Sequence, residues 1–246
     1  MIHLERHHSN RFQVYASAAF SDFPQTKELA KNQVRKVEII DQKKAIAKIN
    51  GSAIDYSWLK GASETYQISS DIKDYIINEI PIVTVDFPNR NGHAFPFDEV
   101  SYFDPRFGQF VYKTFIGKPT FADHVNKSFP DAKGVHFDAS LRYIPAWDVW
   151  KIYVLAGIDR TKDSTLARQI EKGQRRSWSM GSWVSYFLNS ISGQLSNGNQ
   201  PLKYPKGSVH NGVLSYDNCS GCEYFETSSV VGPADVTAES HQLWYF

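Results

Sequence analysis

Strand-like alternation of hydrophobic and polar residues runs through most of the chain. Residues 36–50 contain two short alternating runs, VEIID and KAIAKIN, separated by polar residues as in a β-hairpin. Further strands are predicted from segments in which apolar residues alternate with polar ones or follow one another without interruption: IPIVTVDF, FGQFVYKTFI, VHFDASLRY, WKIYVLAGI, SWSMGSWVSYF and EYFETSSVV. The pattern predicts a β-rich α+β protein.

Two segments have the spacing of amphipathic helices instead. In residues 71–80, DIKDYIINEI, isoleucine and tyrosine recur at helical intervals behind two serines, and Pro81 ends the run. In residues 163–173, DSTLARQIEKG, a capping residue at Asp163 or Ser164 precedes apolar residues on one face, and a glycine ends the segment. The sequence therefore predicts a short helix in each.

The domain organisation follows from length and from the position of loop-forming residues. A chain of 246 residues can bury one sizeable core. Residues 1–70 are interpreted as a β-rich N-terminal extension, either part of the same domain or a small appendage. Residues 71–246 form the main domain, and the segment at about 189–212 is rich in Gly, Ser, Asn and Pro, which predicts a mobile surface insertion.

Charge and hydropathy limit the partners that the protein could bind. The 27 Lys and Arg residues nearly balance the 26 Asp and Glu residues, and the net charge of +1 is too small to attract nucleic acid or an anionic membrane. No apolar run approaches the roughly 18 residues of a membrane-spanning helix, and the start, MIHLERHHSNRF, lacks the apolar stretch of a secretory signal. The expected partners are neither nucleic acid nor membrane, and a cytoplasmic protein is the default.

The two cysteines, Cys219 and Cys222, form a C-x-x-C pair in NCSGC. Such a pair could be half of a zinc site, for which His210 and His241 are the nearest further ligands in sequence. A reduced structural pair is the plainer interpretation, because a second C-x-x-C is absent. We expect no metal and no cofactor.

Three polar residues suit nucleophilic hydrolysis, which needs a hydroxyl, a nearby base and a group that orients the base. His124 lies in a Gly- and Pro-containing turn between two predicted strands, where a polar ring can project from a rigid scaffold. Ser179 lies in RRSWSMGSW, where a Ser-Met-Gly unit leaves space for a substrate backbone. Glu226 lies inside an otherwise apolar, hydroxyl-rich strand, where a buried carboxylate needs a partner.

The order of these segments resembles that of the prohead core proteases of tailed bacteriophages, particularly those of large myoviruses. The matching segments are, in order, PNRNGHAFPF, VYKTFIGKPTFADHVN, AKGVHFDASL, IDRTKDSTLARQIEKG, RRSWSMGSWV, CSGC and ETSSVVGPA. They cover roughly residues 75–235, and several ordered motifs are more specific than a single one. The resemblance implies a fold related to the herpesvirus maturation protease, a β-barrel surrounded by helices whose active serine and histidine lie on neighbouring strands.

The resemblance also assigns roles to the three polar residues. It implies that Ser179 is the nucleophile, that His124 is the base and that Glu226, which opens an E-x-S-x-V-x-x-P-A segment, is the orienting acid. Asp217 and Glu223 remain alternatives for the acid, because both also follow the serine in sequence and carry a carboxylate.

The source of the oxyanion-stabilising groups stays open at the level of sequence. The mechanism calls for backbone amides, and Gly181, Arg175 and Arg176 are nearby possibilities. The resemblance implies cleavage after an acidic residue that is preceded, two positions back, by a small one. The segment 62–64, Ala-Ser-Glu, fits that pattern as a self-cleavage site.

The function implied by the resemblance is a serine endopeptidase of phage prohead maturation. Its substrates would be phage scaffold and core proteins, the major capsid protein and the protease itself. It would work in the prohead interior, in the host cytoplasm, and could form a homo-oligomer, since assemblins pair through helices. The alternative is an inactive barrel protein that serves as a structural component of the capsid or scaffold.

Overall fold

Strands make up 45% and helices 16% of the computed structural model, so the protein is β-rich with few helices, as the alternation predicts. The structure describes residues 12–16, 34–35, 37–49, 52–196 and 201–230. The strands are β1 (Phe12–Ala16), β2 (Val34–Arg35), β3 (Val37–Asp41), β4 (Ile46–Ile49), β5 (Ser52–Asp55), β6 (Tyr75–Thr84), β7 (His93–Ala94), β8 (Phe103–Asp104), β9 (Gln109–Phe110), β10 (Pro119–Ala122), β11 (Gly134–Ile144), β12 (Val149–Asp159), β13 (Ser177–Val184), β14 (Tyr186–Asn189), β15 (Val209–His210), β16 (Val213–Leu214), β17 (Asp217–Ser220) and β18 (Glu223–Val230). The helices are α1 (Leu59–Tyr66), α2 (Phe97–Val100) and α3 (Ser164–Glu171), with 3-10 turns at Ile72–Asp74, Val111–Phe115 and Phe129–Asp131.

An eight-stranded sheet in the order β1-β13-β18-β10-β11-β12-β6-β2 forms the centre of the fold. Its neighbours pair antiparallel except for β10 and β18, which run parallel. The sheet curls so far that Cα atoms of β13 come within 8 Å of β6. Within the described residues, however, the terminal strands β1 and β2 do not pair with each other, so the expected closed barrel is not found.

One face of the sheet, which we call the core face, packs against the larger hydrophobic cluster. On β13 this face carries Trp178 and Met180, both fully buried. Helix α3 packs its buried residues into the same cluster, as the predicted amphipathic face requires. The predicted cap is confirmed, because the Asp163 carboxylate accepts a hydrogen bond from the Leu166 amide at 2.9 Å.

The opposite face of β6, β11 and β12 is covered by β3–β5 and α1. The Trp58 ring lies 5.7 Å from the Phe137 ring of β11, and the Tyr66 hydroxyl donates to the Gly117 carbonyl at 3.2 Å. Strands β3 and β4 reproduce the predicted hairpin. Residues 37–68 therefore share a hydrophobic core with the main sheet.

The helix predicted for residues 71–80 is wrong. Ile72–Asp74 forms a 3-10 turn, and the ten-residue strand β6 begins directly after it. Its isoleucines are β-branched and buried on both faces of the sheet, which favours a strand over a helix whatever their spacing. Pro81 lies beside a register shift opposite Tyr153, and the ladder to β2 covers only Ile77 and Asn78. A proline is tolerated at such a bulge because no ladder hydrogen bond is needed from it.

The strand predicted for residues 107–116 is also wrong. Only β9 is extended there, and Val111–Phe115 forms a 3-10 turn. The Thr114 hydroxyl donates to the Val111 carbonyl at 2.7 Å and accepts from the Tyr224 amide at 2.9 Å, while the Phe115 ring stacks on the Tyr224 ring at 4.2 Å. These contacts with β18 stabilise a compact turn that the alternation of the sequence does not indicate.

The insertion at about 189–212 is tied to the body of the protein by a buried asparagine. The Asn189 side-chain amide donates to the Tyr204 carbonyl and to the Ser215 hydroxyl, both at 2.8 Å. Its oxygen accepts from the amides of Ile191 and Ser192. The insertion forms turns of its own, and the short β15–β16 hairpin lies at its C-terminal end.

Candidate active site

The residues proposed for hydrolysis lie on, or directly after, three adjacent strands. Ser179 on β13 lies opposite Ser228 of β18, and Glu226 of β18 lies opposite Gly181 of β13. On the other side of β18, the parallel strand β10 ends at Ala122, and His124 follows in the next turn. The serine and the histidine therefore flank β18, rather than lying on neighbouring strands as the resemblance implies.

Ser179, Ser228 and Glu226 lie on the same side of the sheet. Residues paired directly across a ladder share a face, and so do residues two apart along a strand. Consistent with this, the Ser228 hydroxyl donates a hydrogen bond to Glu226 Oε2 at 2.8 Å. We call this side, opposite the core face, the site face.

His124 faces the buried carboxylate of Glu226. His124 Nδ1 lies 3.5 Å from Glu226 Oε1, and the side chain of Glu226 is fully buried whereas that of His124 is 34% exposed. A buried carboxylate is costly unless it is paired and hydrogen-bonded. Because Nδ1 faces the acid, the other ring nitrogen, Nε2, is the one that would serve a serine nucleophile, as in serine hydrolases.

The turn that carries His124 is strained. Asp123 and His124 both have positive φ, 51° and 55°, and the Val125 amide donates to the Ala122 carbonyl at 2.9 Å. These are the features of a turn that normally uses Asn-Gly. Each non-glycine residue held at positive φ costs roughly 1–3 kcal/mol. Five other described non-glycine residues also have positive φ, so this strain alone does not mark the site.

Arg175, in the bend before β13, holds this turn against β18. Its Nε donates to Ser229 Oγ at 3.2 Å and its Nη2 to the Ser229 carbonyl at 3.1 Å. The same Nη2 forms an ion pair with the Asp123 carboxylate. The sequence suggested Arg175 as a source of oxyanion stabilisation, but its guanidinium is used in these contacts. The neighbouring Arg176 lies directly before β13.

Gly181 does not leave open space beside the serine. A Cβ atom at Gly181 would lie 2.4 Å from Cζ of Phe225, so the phenylalanine ring fills that volume. Gly181 is also an interior strand residue, paired with Tyr15 of β1 and Glu226 of β18. The expectation that this glycine makes room for a substrate backbone is therefore wrong in this conformation.

The two alternative acids are engaged away from His124. Glu223 Oε1 lies 3.1 Å from Lys118 Nζ. Asp217 Oδ1 accepts from the Ser196 hydroxyl at 2.9 Å, and its Oδ2 lies 3.6 Å from Lys206 Nζ. Among the three carboxylates considered, Glu226 is the one that the structure brings to the histidine.

A second histidine, His136 of β11, lies on the core face. Its Nδ1 donates to the Phe115 carbonyl at 3.0 Å, because a carbonyl can only accept. Its Nε2 therefore accepts from the Thr227 hydroxyl at 2.8 Å. Burial lowers the pKa of His136 to about 3, so this ring is neutral near pH 7.

The cysteine pair does not assemble a metal site with the described residues. Cys219 and Cys222 are fully buried and are not joined in a disulfide, and burial raises the pKa of the Cys219 thiol. His210 is bonded through Nε2 to the Ser208 hydroxyl at 2.8 Å. No cluster of three or more His, Cys, Asp or Glu side chains suited to a metal occurs in the described part of the chain, and His241 lies outside it.

The proposed self-cleavage segment, residues 62–64, lies within α1. Glu64 is exposed on the helix. Peptides are commonly bound by β-sheet proteins in extended form, so this bond would need local unwinding of α1 before it could be cut.

Sequence reasoning missed two residues that complete the site, Ser228 and Asp123. Ser228 could have been found from the E-x-S spacing, because residues two apart in a strand share a face. Asp123 gave no signal, since its role depends on the backbone conformation of the turn and on the distant Arg175.

Among the described helices, none has the length and apolar character to cross a bilayer. Searches against protein-family models, curated proteins and solved structures found no significant match.

Proposed function

We propose that the protein is a serine endopeptidase in which Ser179 is the nucleophile, His124 the general base and Glu226 the orienting acid. The observation that carries this proposal is the contact of 3.5 Å between His124 Nδ1 and the fully buried carboxylate of Glu226. This pair forms on the face that carries Ser179, although the three residues are far apart in sequence. A hydrolytic triad is recognised by such roles and geometry.

In the proposed reaction His124 Nε2 takes the proton of Ser179 as the serine oxygen attacks a peptide carbonyl. Glu226 stays ionised, accepts a hydrogen bond from the Nδ1–H group and stabilises the imidazolium that forms. The imidazolium then protonates the leaving amine, which departs with the C-terminal fragment. Water, deprotonated by the same histidine, hydrolyses the acyl-enzyme and restores the serine. Ser228 keeps the second carboxylate oxygen of Glu226 in place through its hydrogen bond.

The substrate class in this proposal comes from the ordered motifs. They resemble those of phage prohead proteases, whose fold is related to the herpesvirus maturation protease. By that analogy the substrates are scaffold, core and major capsid proteins, cut after an acidic residue inside the prohead in the host cytoplasm. The high strand content and the few helices support this analogy only as far as the β-rich class.

A second candidate is an inactive structural component of the capsid or scaffold. It is favoured by the burial of Ser179, which is only 3% exposed. A peptide carbonyl could not reach the serine oxygen in this conformation without a rearrangement of the groups that cover it. The two candidate functions therefore make different predictions. A protease requires the groups that cover Ser179 on the site face to move, whereas a structural component does not.

Labelling with a fluorophosphonate, followed by peptide mass spectrometry, distinguishes the two candidates. The enzyme is expected to carry one adduct, on Ser179, and to lose the label in Ser179→Ala. Incubation of the same preparation with scaffold and capsid proteins should yield fragments that end in acidic residues. Intact protein without an adduct and uncut substrates would exclude the protease and support the structural role.

A further inference from the structure

The guanidinium of Arg175 connects three parts of the candidate site. It reaches both the hydroxyl and the carbonyl of Ser229 on β18, and it pairs with the carboxylate of Asp123. The Ser229 carbonyl also accepts from the Asp123 amide at 2.8 Å. Ser229 and Asp123 are therefore held together twice, once by the backbone and once through Arg175.

The residue next to Asp123 is His124, and the two share the positive-φ turn. In that conformation the Cβ of His124 projects in a direction that a relaxed backbone at negative φ would not give. The distance from His124 Nδ1 to Glu226 Oε1 thus depends on the turn keeping its strained form. Misplacement of a catalytic group by about 1 Å can cost roughly 10²-fold in rate.

We infer that Arg175 is a positioning residue, which holds the Asp123–His124 turn at positive φ and thereby directs the His124 ring to Glu226. The expected effect of Arg175 on catalysis rests on the proposed function, whereas its expected effect on the orientation of the His124 ring does not. The guanidinium is 22% exposed and the Asp123 carboxylate 50%, so the pair alone, at the surface, would contribute little. Its importance lies in the backbone conformation that it maintains.

The test compares Arg175→Gln with a matched control, Arg160→Gln. Arg160 also bonds a backbone carbonyl, that of Tyr75, and a carboxylate, that of Glu171, but away from His124. Histidine-ring NMR spectra are recorded between pH 5 and 9, with the His124 signal assigned by its loss in His124→Ala. Thermal midpoints are measured for both variants, so that a general loss of stability is separated from a local effect.

Arg175→Gln is expected to shift the His124 ring signals, and to lower kcat by about 10- to 100-fold with little change in KM. Arg160→Gln should do neither. Glycine adopts positive φ without strain, so Asp123→Gly added to Arg175→Gln should restore most of both properties.

Unchanged His124 signals in folded Arg175→Gln would overturn the inference, and so would a shift that Asp123→Gly fails to correct. Should the wild-type protein neither cut peptides nor react with fluorophosphonate, the proposed function fails, and the NMR comparison still decides the role of Arg175.

Discussion

The two faces of the sheet around β18 each contain a histidine beside hydroxyl groups, and the two sites differ in how the rings are satisfied. On the core face, His136 is fully buried and bonded at both nitrogens, to the Phe115 carbonyl and the Thr227 hydroxyl. On the site face, His124 is one-third exposed, sits in a strained turn and faces a buried carboxylate. Burial with complete hydrogen bonding is typical of a structural histidine, whereas strain and a carboxylate partner are typical of a reactive one.

The two histidines therefore differ both in burial and in the partners of their ring nitrogens, and the proposed mechanism assigns a catalytic role only to His124. His136 could not act as a base for Ser179, because the serine lies on the opposite face of the sheet. Its Nε2 is already an acceptor for Thr227, and its lowered pKa makes it a poor base. The comparison leads to predictions in which one face controls activity and the other controls stability.

The largest expected effect is on the site face, in Ser179→Ala. Removing the hydroxyl should lower kcat/KM for peptide cleavage by about 10⁴-fold or more, because the nucleophile is lost. The thermal midpoint should change little, since the alanine keeps the strand and most of the packing. Steady-state cleavage of a capsid-derived peptide measures the first quantity, and circular dichroism the second.

His124→Ala supplies the control for that experiment. Members of a triad act together, so the single change should be about as damaging as the serine change, and the double variant hardly worse. Losses that add in full would show that the two residues do not act as a unit.

Glu226→Gln is expected to have the next largest effect. The amide keeps the volume of the side chain but removes the charge that stabilises the imidazolium, so kcat should fall by roughly 10²- to 10⁴-fold. Glu223→Gln and Asp217→Asn should alter kcat by less than about threefold, because their carboxylates pair with lysines instead of His124.

Stability must be compared before these rates are interpreted, since a buried amide without a partner can itself destabilise the fold. If Glu226→Gln is folded and active while Glu223→Gln or Asp217→Asn is folded and inactive, the orienting acid is the residue that was changed in the inactive variant.

On the core face, His136→Ala should reverse the pattern seen for His124→Ala. It leaves a cavity and removes partners from the Phe115 carbonyl and the Thr227 hydroxyl, so the free energy of unfolding should fall by roughly 2–5 kcal/mol. Activity per folded molecule should stay within a few fold of wild type. Urea denaturation and active-site titration measure the two quantities. If His136→Ala is stable but inactive, the core face also controls activity and the proposed difference between the two faces is wrong.

The smallest expected effect is a pH dependence that belongs to the core face. The unfolded chain protonates His136 near its ordinary pKa of about 6.5, whereas the folded protein does so only near pH 3. Between these values the unfolded state binds more protons, so the free energy of unfolding falls as the pH is lowered. The slope from this residue reaches at most about 1.4 kcal/mol per pH unit.

His93 contributes with the same sign, because burial and then Lys206 lower its pKa to about 4. The difference between wild type and His136→Gln isolates His136. Urea titrations from pH 7 to pH 4.5 should give a shallower dependence for the variant, and equal slopes would show that His136 is not held neutral by the fold.

Much of the strand pattern could be predicted from the sequence, but its exceptions required tertiary contacts. The long apolar runs of β12 and β18 and the capped helix α3 occur where predicted. The isoleucines of residues 71–80 match helical spacing by chance, and their β-branching and burial on both faces of the sheet favour a strand instead. The 3-10 turn at Val111–Phe115 depends on Tyr224, which is distant in sequence.

The candidate site also combines features that the sequence predicts with features that depend on tertiary contacts. The order of the motifs predicts His124, Ser179 and Glu226 as site residues, and in the structure His124 Nδ1 lies 3.5 Å from Glu226 Oε1. The contacts of Arg175 with the turn could not be predicted, because they depend on two positive φ angles and on a strand order in which β18 separates β13 from β10. No local pattern encodes that order.

The central position of β18 has a consequence for the order of events in biosynthesis. β18 is the last described strand along the chain, yet it joins β13 to β10 and supplies Glu226. A nascent chain that has not yet delivered this strand from the ribosome has the serine and the histidine on two strands with no shared neighbour. Pairing over such a long loop is slow and comes late in folding. A chain interrupted before residue 223 would therefore leave the edges of β13 and β10 that face β18 unpaired, and unpaired strand edges favour aggregation.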